Sequence, residues 1–247
     1  MPIFGFHDLV DLSDPSETPP QRRSFSSDYD ISCFKQFLEY LLAQDFWFLS
    51  AYEYDTYFIK GALIPRDKRK LKPILLTFDD GYAGIYDHLL PLLRKKYAET
   101  GKKVKVVLFL HSGGIGERWL DLRYLTCAQI REGYAEGYFD LQSHSVSHTD
   151  LTKLNTYDLN RELRISQEHL RDCLAGLSGA NQTANYLAYP YGANNILVQK
   201  AAAKYYLAAF TYNDQLTREP RTNSYALGRW QVSRDQPLEK LIEKASP

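Results

Sequence analysis

The chain has 247 residues, of which 44% are apolar, enough to bury a sizeable core as one large domain or two small ones. Its 30 basic and 30 acidic residues balance, so the total charge gives no reason to expect nucleic acid or an anionic membrane surface as a partner. No apolar run reaches the roughly 18 residues that a transmembrane helix needs, which predicts a chain without such a segment.

Strands and helices are predicted to alternate along the chain. A short strand at 2–6 precedes an amphipathic helix at 30–45, where Phe34, Phe37 and Leu38 recur at helical spacing. Further strands are predicted at 46–50, 73–78, 105–110, 138–144, 186–190 and 206–212, and further helices at 84–97 (kinked at Pro91), 126–137, 156–177 and 194–205. This alternation predicts βαβ units and a parallel sheet. Seven or eight units predict an α/β fold, a single-domain distorted (β/α)7-8 barrel over 1–247, with an open doubly wound sheet as the alternative.

Several chemically useful side chains follow predicted strands, and the active sites of α/β barrels lie at those strand ends. In the stretch TFDDG, Asp79 and Asp80 end a buried strand, where carboxylates are costly unless something pairs with them. One acid could face a metal while the other faces a reacting water. The alternative is an acidic turn with solvated side chains.

Two more strand ends carry candidate groups. In HSVSH, His144 and His148 are four residues apart, which allows both imidazoles to reach one divalent ion, although two surface histidines would look the same. In YPYG, Pro190 and Gly192 predict a sharp turn that could aim the backbone N–H of Tyr191 into the site as an oxyanion donor. An ordinary strand-exit turn is equally compatible with these residues.

Together and in this order, TFDDGY, HSVSH and YPYG resemble the polysaccharide deacetylases of carbohydrate esterase family 4, the NodB homology domain. The opening FGFHDL is similar to the subgroup that de-N-acetylates poly-N-acetylglucosamine. The resemblance implies a metal-dependent hydrolase that removes N-acetyl groups from poly-N-acetylglucosamine, a chitin-like polymer or a peptidoglycan glycan. The implied partner is thus an N-acetylated glycan.

The resemblance also implies roles for individual residues. Asp79 would be the catalytic base, Asp80, His144 and His148 would hold the metal, and the Tyr191 N–H would stabilise the oxyanion. Two histidines and one aspartate favour zinc, while nickel, cobalt and iron accept the same ligands.

Two departures from the family pattern stand out. The arginine that the family usually places two residues before the proline of its third motif is Ala188 here. The family's C-terminal histidine, which protonates the leaving amine, has no counterpart, because the last histidine is His169, in a predicted helix. We hypothesise that His7 supplies the acid and that Arg229 replaces the missing arginine beside Asp79. The alternatives are a structural histidine on the first strand and an exposed arginine on the last.

Two other functions fit the same residues. A metal-dependent amidohydrolase acting on small cyclic amides would keep the metal site and change the substrate. A carbohydrate-binding relative would explain the departures, although a binding protein does not need the base that Asp79 provides.

The N-terminus and the three cysteines bear on cellular location and redox chemistry. The N-terminal residues show no basic segment followed by a long apolar stretch, so we expect no export signal in the chain, which favours the cytoplasm. The resemblance instead favours the cell envelope or an extracellular location. The oligomeric state is left open. The three cysteines, Cys33, Cys127 and Cys173, lack CxxC spacing, and we expect three unpaired thiols.

Overall fold

Seven parallel strands close into a barrel in the computed structural model, which describes residues 1–19, 22, 25–119, 122–213 and 223–246. The strands are β1 (Ile3–Phe6), β2 (Asp8–Val10), β3 (Asp28–Asp30), β4 (Phe46–Phe48), β5 (Lys72–Asp80), β6 (Val106–Leu110), β7 (Arg118–Trp119), β8 (Leu122–Arg123), β9 (Phe139–Ser143), β10 (Tyr186–Ala188), β11 (Ala208–Tyr212) and β12 (Leu227–Gln231). The α-helices are α1 (Ile31–Ala43), α2 (Ala51–Tyr54), α3 (Leu90–Thr100), α4 (Cys127–Ala135), α5 (Thr156–Cys173), α6 (Ile196–Ala202) and α7 (Leu238–Ala245).

The barrel closes where β1 meets β5. The strand order is β1-β12-β11-β10-β9-β6-β5, and β1 pairs with both β12 and β5, so the sheet has no free edge between them. Strand β4 pairs with residues 72–74 of β5. Above them, residues 75–78 of the same β5 edge pair with β1. The predicted barrel is confirmed, and the alternative of an open sheet is wrong. That one domain spans the whole of 1–247 stays a prediction.

Alternation along each strand separates two packed layers. On β5, Leu75 packs inside the barrel with residues of β6, β10, β11 and β12, while Ile74 and Leu76 pack outward against the helices. This follows from the period of two in a strand, whose successive side chains point to opposite faces. The same parity carries Thr77 and then Asp79 to the inner face at the upper end of β5.

The helices begin and end where the sequence supplies caps. The Asp30 carboxylate accepts hydrogen bonds from the first turn of α1, as an N-cap does. The predicted helix at 84–97 begins with a π-helical turn, Ile85–Leu89, in which the Leu90 N–H donates to the Ile85 carbonyl five residues back. Pro91, which has no N–H, follows in the first turn of α3, where proline is tolerated.

A disulfide joins α4 to α5 through Cys127 and Cys173, whose Cα atoms are 5.5 Å apart. The expectation of three thiols is therefore wrong for these two and holds for Cys33. The two cysteines are 46 residues apart, so their meeting depends on the packing of the helices and leaves no local signal. Within the described residues, no helix is long and apolar enough to span a bilayer.

Candidate active site

The upper end of the barrel gathers the predicted site residues on adjacent strands. All seven lie there, joined by direct contacts or through one intervening tyrosine: His7, Asp79, Asp80, His144, His148, Tyr191 and Arg229. Arg229 lies on β12 with the same parity as Leu227, which packs inside the barrel. The site thus has an inner part below the rim and an outer part on the loops that follow the strands.

Asp79 forms a bidentate ion pair with Arg229 inside the barrel. Arg229 Nη1 donates to Asp79 Oδ1 at 2.6 Å, and Arg229 Nη2 donates to Oδ2 at 2.7 Å. The guanidinium also donates to the Thr77 hydroxyl at 2.9 Å. Both charged side chains are completely buried. Burial opposes the charge of Asp79, but Arg229 and the nearby imidazoles together hold the pKa of this carboxyl below its ordinary value, so Asp79 is ionised at neutral pH.

Tyr212 completes this arrangement, and the sequence reasoning missed it. Its hydroxyl donates to Asp79 Oδ2 at 2.7 Å, and the Arg229 guanidinium lies 4.3 Å from the centre of its ring. A Cβ on Gly5 would come within 2.5 Å of the Tyr212 ring, so the glycine makes room for it. The available signal was parity, because Tyr212 lies two residues beyond Phe210, which packs inside the barrel. We call Asp79, Arg229 and Tyr212 the base cluster.

Asp80, His144 and His148 lie close enough to share one ion. His144 Nε2 is 3.5 Å from Asp80 Oδ1, His148 Nε2 is 3.2 Å from the same oxygen, and one ligand atom from each residue falls within 4.8 Å of the others. We call these three residues the ligand trio. Asp80 Oδ1 is buried and accepts no hydrogen bond from the described residues. An unsatisfied carboxylate oxygen between two imidazoles is the arrangement that a divalent cation would complete.

The protonation pattern of His144 also suits a metal ligand. Its Nδ1 lies 2.7 Å from the carbonyl oxygen of Ala188, and a carbonyl can only accept, so Nδ1 carries the proton and the Nε2 lone pair faces Asp80. Burial lowers the pKa of His144 to about 4, which keeps the ring neutral near pH 7. Burial also acts on His148, but the neighbouring Asp80 carboxylate outweighs it and raises the pKa of that imidazole.

The backbone around the trio is bent into an uncommon conformation. Asp80, Ser145, His148 and Tyr191 have φ of 70°, 68°, 54° and 59°, values that residues other than glycine seldom adopt. The Ser145 hydroxyl accepts the His148 N–H at 3.2 Å and helps to hold this loop. Such conformations cluster at functional sites, where the surrounding structure compensates their cost.

His7 lies beside both acids with one ring nitrogen unsatisfied. The side chain is only 9% exposed, and its Nδ1 has no hydrogen-bond partner among the described residues. Its ring stacks on that of Tyr212 with the centres 6.0 Å apart. Burial opposes ionisation of Asp79 and Asp80, and His7 is among the neighbouring groups that lower the pKa values of both carboxyls. Its role as the acid stays a prediction.

Aromatic rings form the outer rim of the site. The Tyr191 side chain is 68% exposed and meets the His148 ring edge-on at 4.6 Å. On another side of His148, His111 contacts it at 5.9 Å and packs against Tyr124 at 4.8 Å, while Tyr124 stacks on Tyr82 at 5.1 Å. Exposed aromatic faces next to buried polar groups suit a sugar ring, which has an apolar face and polar edges. The oxyanion role of the Tyr191 N–H stays a prediction.

The sequence profile of the family described as polysaccharide deacetylase matches residues 66–210, more than half of the chain. This chain belongs to the polysaccharide deacetylase family. The family predicted from the motifs is therefore confirmed.

Individual relatives agree with this membership. YxkH of Bacillus subtilis, which is named after the same family, is 29% identical over 177 residues, 69% of this chain and 56% of YxkH. The chain thus spans little more than half the length of that relative. The poly-β-1,6-N-acetyl-D-glucosamine N-deacetylase of Staphylococcus epidermidis is 27% identical over 221 residues, 85% of this chain and 70% of the relative. The Streptococcus pyogenes deacetylase PplD, solved in complex with acetate, shares the fold with a TM-score of 0.80 at 22% identity, covering 100% of this chain and 98% of PplD.

In this member of the polysaccharide deacetylase family, the arginine next to Asp79 comes from β12. Ala188, at the position of the usual arginine, is fully buried on β10 and offers its carbonyl to His144. The guanidinium beside Asp79 comes from Arg229 on β12, where Phe109 and Tyr212 lie against its plane. Whether Arg229 serves catalysis as the family arginine does stays a prediction.

Proposed function

We propose that this protein is a metal-dependent hydrolase that removes N-acetyl groups from an amino-sugar polysaccharide. The observation that carries the proposal is the unsatisfied, buried Asp80 Oδ1 between two imidazoles, next to an ionised Asp79. A site that only bound sugar would need neither a carboxylate and two imidazoles that converge on one point nor a charged carboxylate held in a fixed orientation. Membership of the polysaccharide deacetylase family supports the same reaction.

The ligand trio would hold the metal, with zinc as the first choice and nickel, cobalt or iron as alternatives. Two nitrogen donors and one carboxylate leave room for water and substrate, as catalytic zinc sites do. When bound, a divalent ion supplies Lewis acidity that polarises the acetamide carbonyl and lowers the pKa of water.

Asp79 is the group proposed to accept the proton of the attacking water. Arg229 and Tyr212 fix both of its oxygens, so the carboxylate can act without first reorienting. Asp79 Oδ2 also lies 3.9 Å from His144 Nε2, a short separation that supports proton transfer from a water held at the ligand trio.

His7 is proposed to give a proton to the departing amine. Its unsatisfied Nδ1 and its position beside both acids suit this role, and no other histidine of the chain follows His169. The Tyr191 N–H is proposed to donate to the oxygen that becomes negatively charged during attack.

The proposed substrate is poly-β-1,6-N-acetylglucosamine. The Staphylococcus epidermidis relative with this specificity aligns with 85% of the chain, and the aromatic rim offers surfaces on which sugar rings can stack. We also infer that the whole chain forms one catalytic domain, because its first and last strands are neighbours in the barrel.

The test is acetate release from β-1,6-linked N-acetylglucosamine oligomers, chitin oligomers and peptidoglycan, with zinc or with a chelator. We expect zinc-dependent release that is greatest on the β-1,6-linked oligomers and is abolished in Asp79→Asn. Protein that holds one equivalent of zinc and releases no acetate would contradict the proposal. Hydrolysis of small cyclic imides would then favour the amidohydrolase, and glycan binding without turnover would favour a binding protein.

A further inference from the structure

The lower end of the barrel carries a concentrated positive charge. Segments 60–72 and 101–105 contain nine basic residues and one acid, Asp67, in a chain whose total charge is zero. We call this surface the basic face, and its cations are Lys60, Arg66, Lys68, Arg69, Lys70, Lys72, Lys102, Lys103 and Lys105. All nine are exposed or partly exposed. The balanced total charge, from which no anionic membrane partner was expected, hides this local excess.

The basic face is at the opposite end of the barrel from the active site. Lys72 begins β5 and Asp80 ends it, and Lys105 immediately precedes β6. At about 3.3 Å per residue, β5 separates the face from the ligand trio by roughly 25 Å. Lys68, Lys102, Lys103 and Lys105 line one cleft with two acids, Asp45 and Glu53, which shows that the two segments form a continuous surface with an excess of cations.

Few of these charges are neutralised within the protein. Lys60 pairs with Asp55 at 2.6 Å, Lys102 pairs with Asp45 at 2.6 Å, and Lys68 lies 3.4 Å from Asp67. In the part of the chain that the structure describes, Arg66 and Lys70 have no ion-pair partner, while Lys105 lies near the buried Asp140 and acts to lower its pKa. Cations that serve neither folding nor the active site are available to an external anion.

An apolar tip projects beside these cations. Residues 61–65, with the sequence GALIP, carry no charge, and Leu63 is 86% exposed. Ile64 packs against the residues that fill the barrel interior, and Arg69 Nε donates to its carbonyl at 3.1 Å, which fixes the tip next to the basic turn. An exposed leucine adds nothing to binding a soluble polyanion, but it can enter the interface of a bilayer.

We propose that the basic face docks on a bilayer containing anionic lipids, with Leu63 in the interfacial region and the cations on the headgroups. Clusters of four to eight Lys and Arg with an adjacent apolar anchor combine the two signals that such docking needs. The docked protein directs its active site away from the lipid, towards polymer outside the membrane. This inference does not depend on the proposed deacetylase reaction, since lipid binding can be measured without turnover.

The experiment is sedimentation of the full chain with vesicles of phosphatidylcholine alone or mixed with phosphatidylglycerol. We expect binding to the mixed vesicles only, weakening as salt is added. The triple variant Arg66→Glu, Lys68→Glu, Lys70→Glu should lose at least about tenfold in vesicle affinity. Its matched control is Lys153→Glu, Lys200→Glu, Lys204→Glu, which makes the same change in net charge on another surface and should bind as the wild type does.

Leu63→Ser separates a bilayer from a soluble polyanion. We expect it to weaken vesicle binding severalfold while leaving binding to dextran sulfate unchanged. Equal vesicle binding by Leu63→Ser and wild type, with tight binding to dextran sulfate, would overturn the proposal in favour of a polyanion. Absence of vesicle binding at low salt, or equal losses in the two triple variants, would overturn it as well. Thermal unfolding of each variant confirms that the fold is intact.

Discussion

Asp79 and Asp80 are adjacent in sequence, yet different partners surround their two carboxylates. In the base cluster, both oxygens of Asp79 receive hydrogen bonds from Arg229, and one receives a third from Tyr212. In the ligand trio, Asp80 Oδ1 faces two imidazoles and accepts no hydrogen bond from the described residues. The first carboxylate is neutralised by the protein, while the second keeps one oxygen without a hydrogen-bond donor from the described residues.

This difference shows how one strand end can divide the work of two acids. Thr77 and Asp79 share the inner face of β5, where a guanidinium on β12 can reach both. Asp80 turns at φ 70° onto the rim, where it meets the histidines that follow β9. Four experiments test whether the two carboxylates act separately.

Arg229→Met should have the largest effect, because it leaves Asp79 buried and unpaired. We expect a loss of about 3–5 kcal/mol in the free energy of unfolding, measured by urea denaturation. The control is Arg94→Met, which breaks a half-exposed pair with Glu132 and Glu136 and should cost about 1 kcal/mol or less. Equal losses in the two variants would mean that the base cluster is not held as described.

Zinc should stabilise the protein through the ligand trio alone. At free zinc about 100 times the Kd, we expect a gain of about 2.7 kcal/mol over chelated protein. Asp80→Asn should abolish the gain, whereas Asp79→Asn should retain it, since the two variants differ only in which cluster they alter. If the zinc effect disappears in both variants or in neither, the division between the clusters fails.

Tyr212→Phe should lower the free energy of unfolding by about 1.5 kcal/mol, measured by urea denaturation, because it removes one hydrogen bond to a charged acceptor. The substitution keeps the ring that stacks on His7. We expect kcat for acetate release to fall while KM is unchanged. Tyr189→Phe is the matched control, since that buried hydroxyl donates to the neutral carbonyl of Tyr225 and lies outside the base cluster. If kcat of Tyr212→Phe equals that of the wild type, the Tyr212 hydroxyl does not contribute to catalysis by Asp79.

The most gradual effect is a pH dependence of the metal-free protein, because it is spread over more than two pH units. The pKa of His144 falls from 6.5 to about 4 on folding, so its contribution to stability is complete above pH 6.5 and is lost as the pH falls towards 4. The stability difference between wild type and His144→Gln should therefore change by about 1 kcal/mol per pH unit in this window. The pKa of His148 is raised above 6.5, so the stability that His148 contributes is complete below pH 6.5 and is lost as the pH rises above it. A constant difference across this range would contradict the assignment.

The sequence predicted the barrel well, because strands and helices alternate and the strand ends carry unusual polar residues. It also pointed to the site residues through three short motifs and to Arg229 through a departure from the family pattern. Each of these signals is local, or depends on the rule that parallel strands present their ends together.

What the sequence could not show depends on contacts between distant segments. Tyr212 belongs to no motif and is one of 19 tyrosines, so only its parity on a closed barrel reveals it. The pairing of β1 with β5, which excludes an open sheet, joins residues about 70 positions apart. The basic face likewise forms only when two segments 30 residues apart meet below the barrel.

The bond between Cys127 and Cys173 encloses a particular part of the chain. The covalent loop it forms contains β9 and both histidines of the ligand trio, His144 and His148. A loop of this size lowers the entropy of the unfolded chain by an amount equivalent to about 4 kcal/mol. Production in a reducing host, or storage with dithiothreitol, would therefore yield a protein whose histidine segment unfolds more readily, and purification should keep the cystine intact.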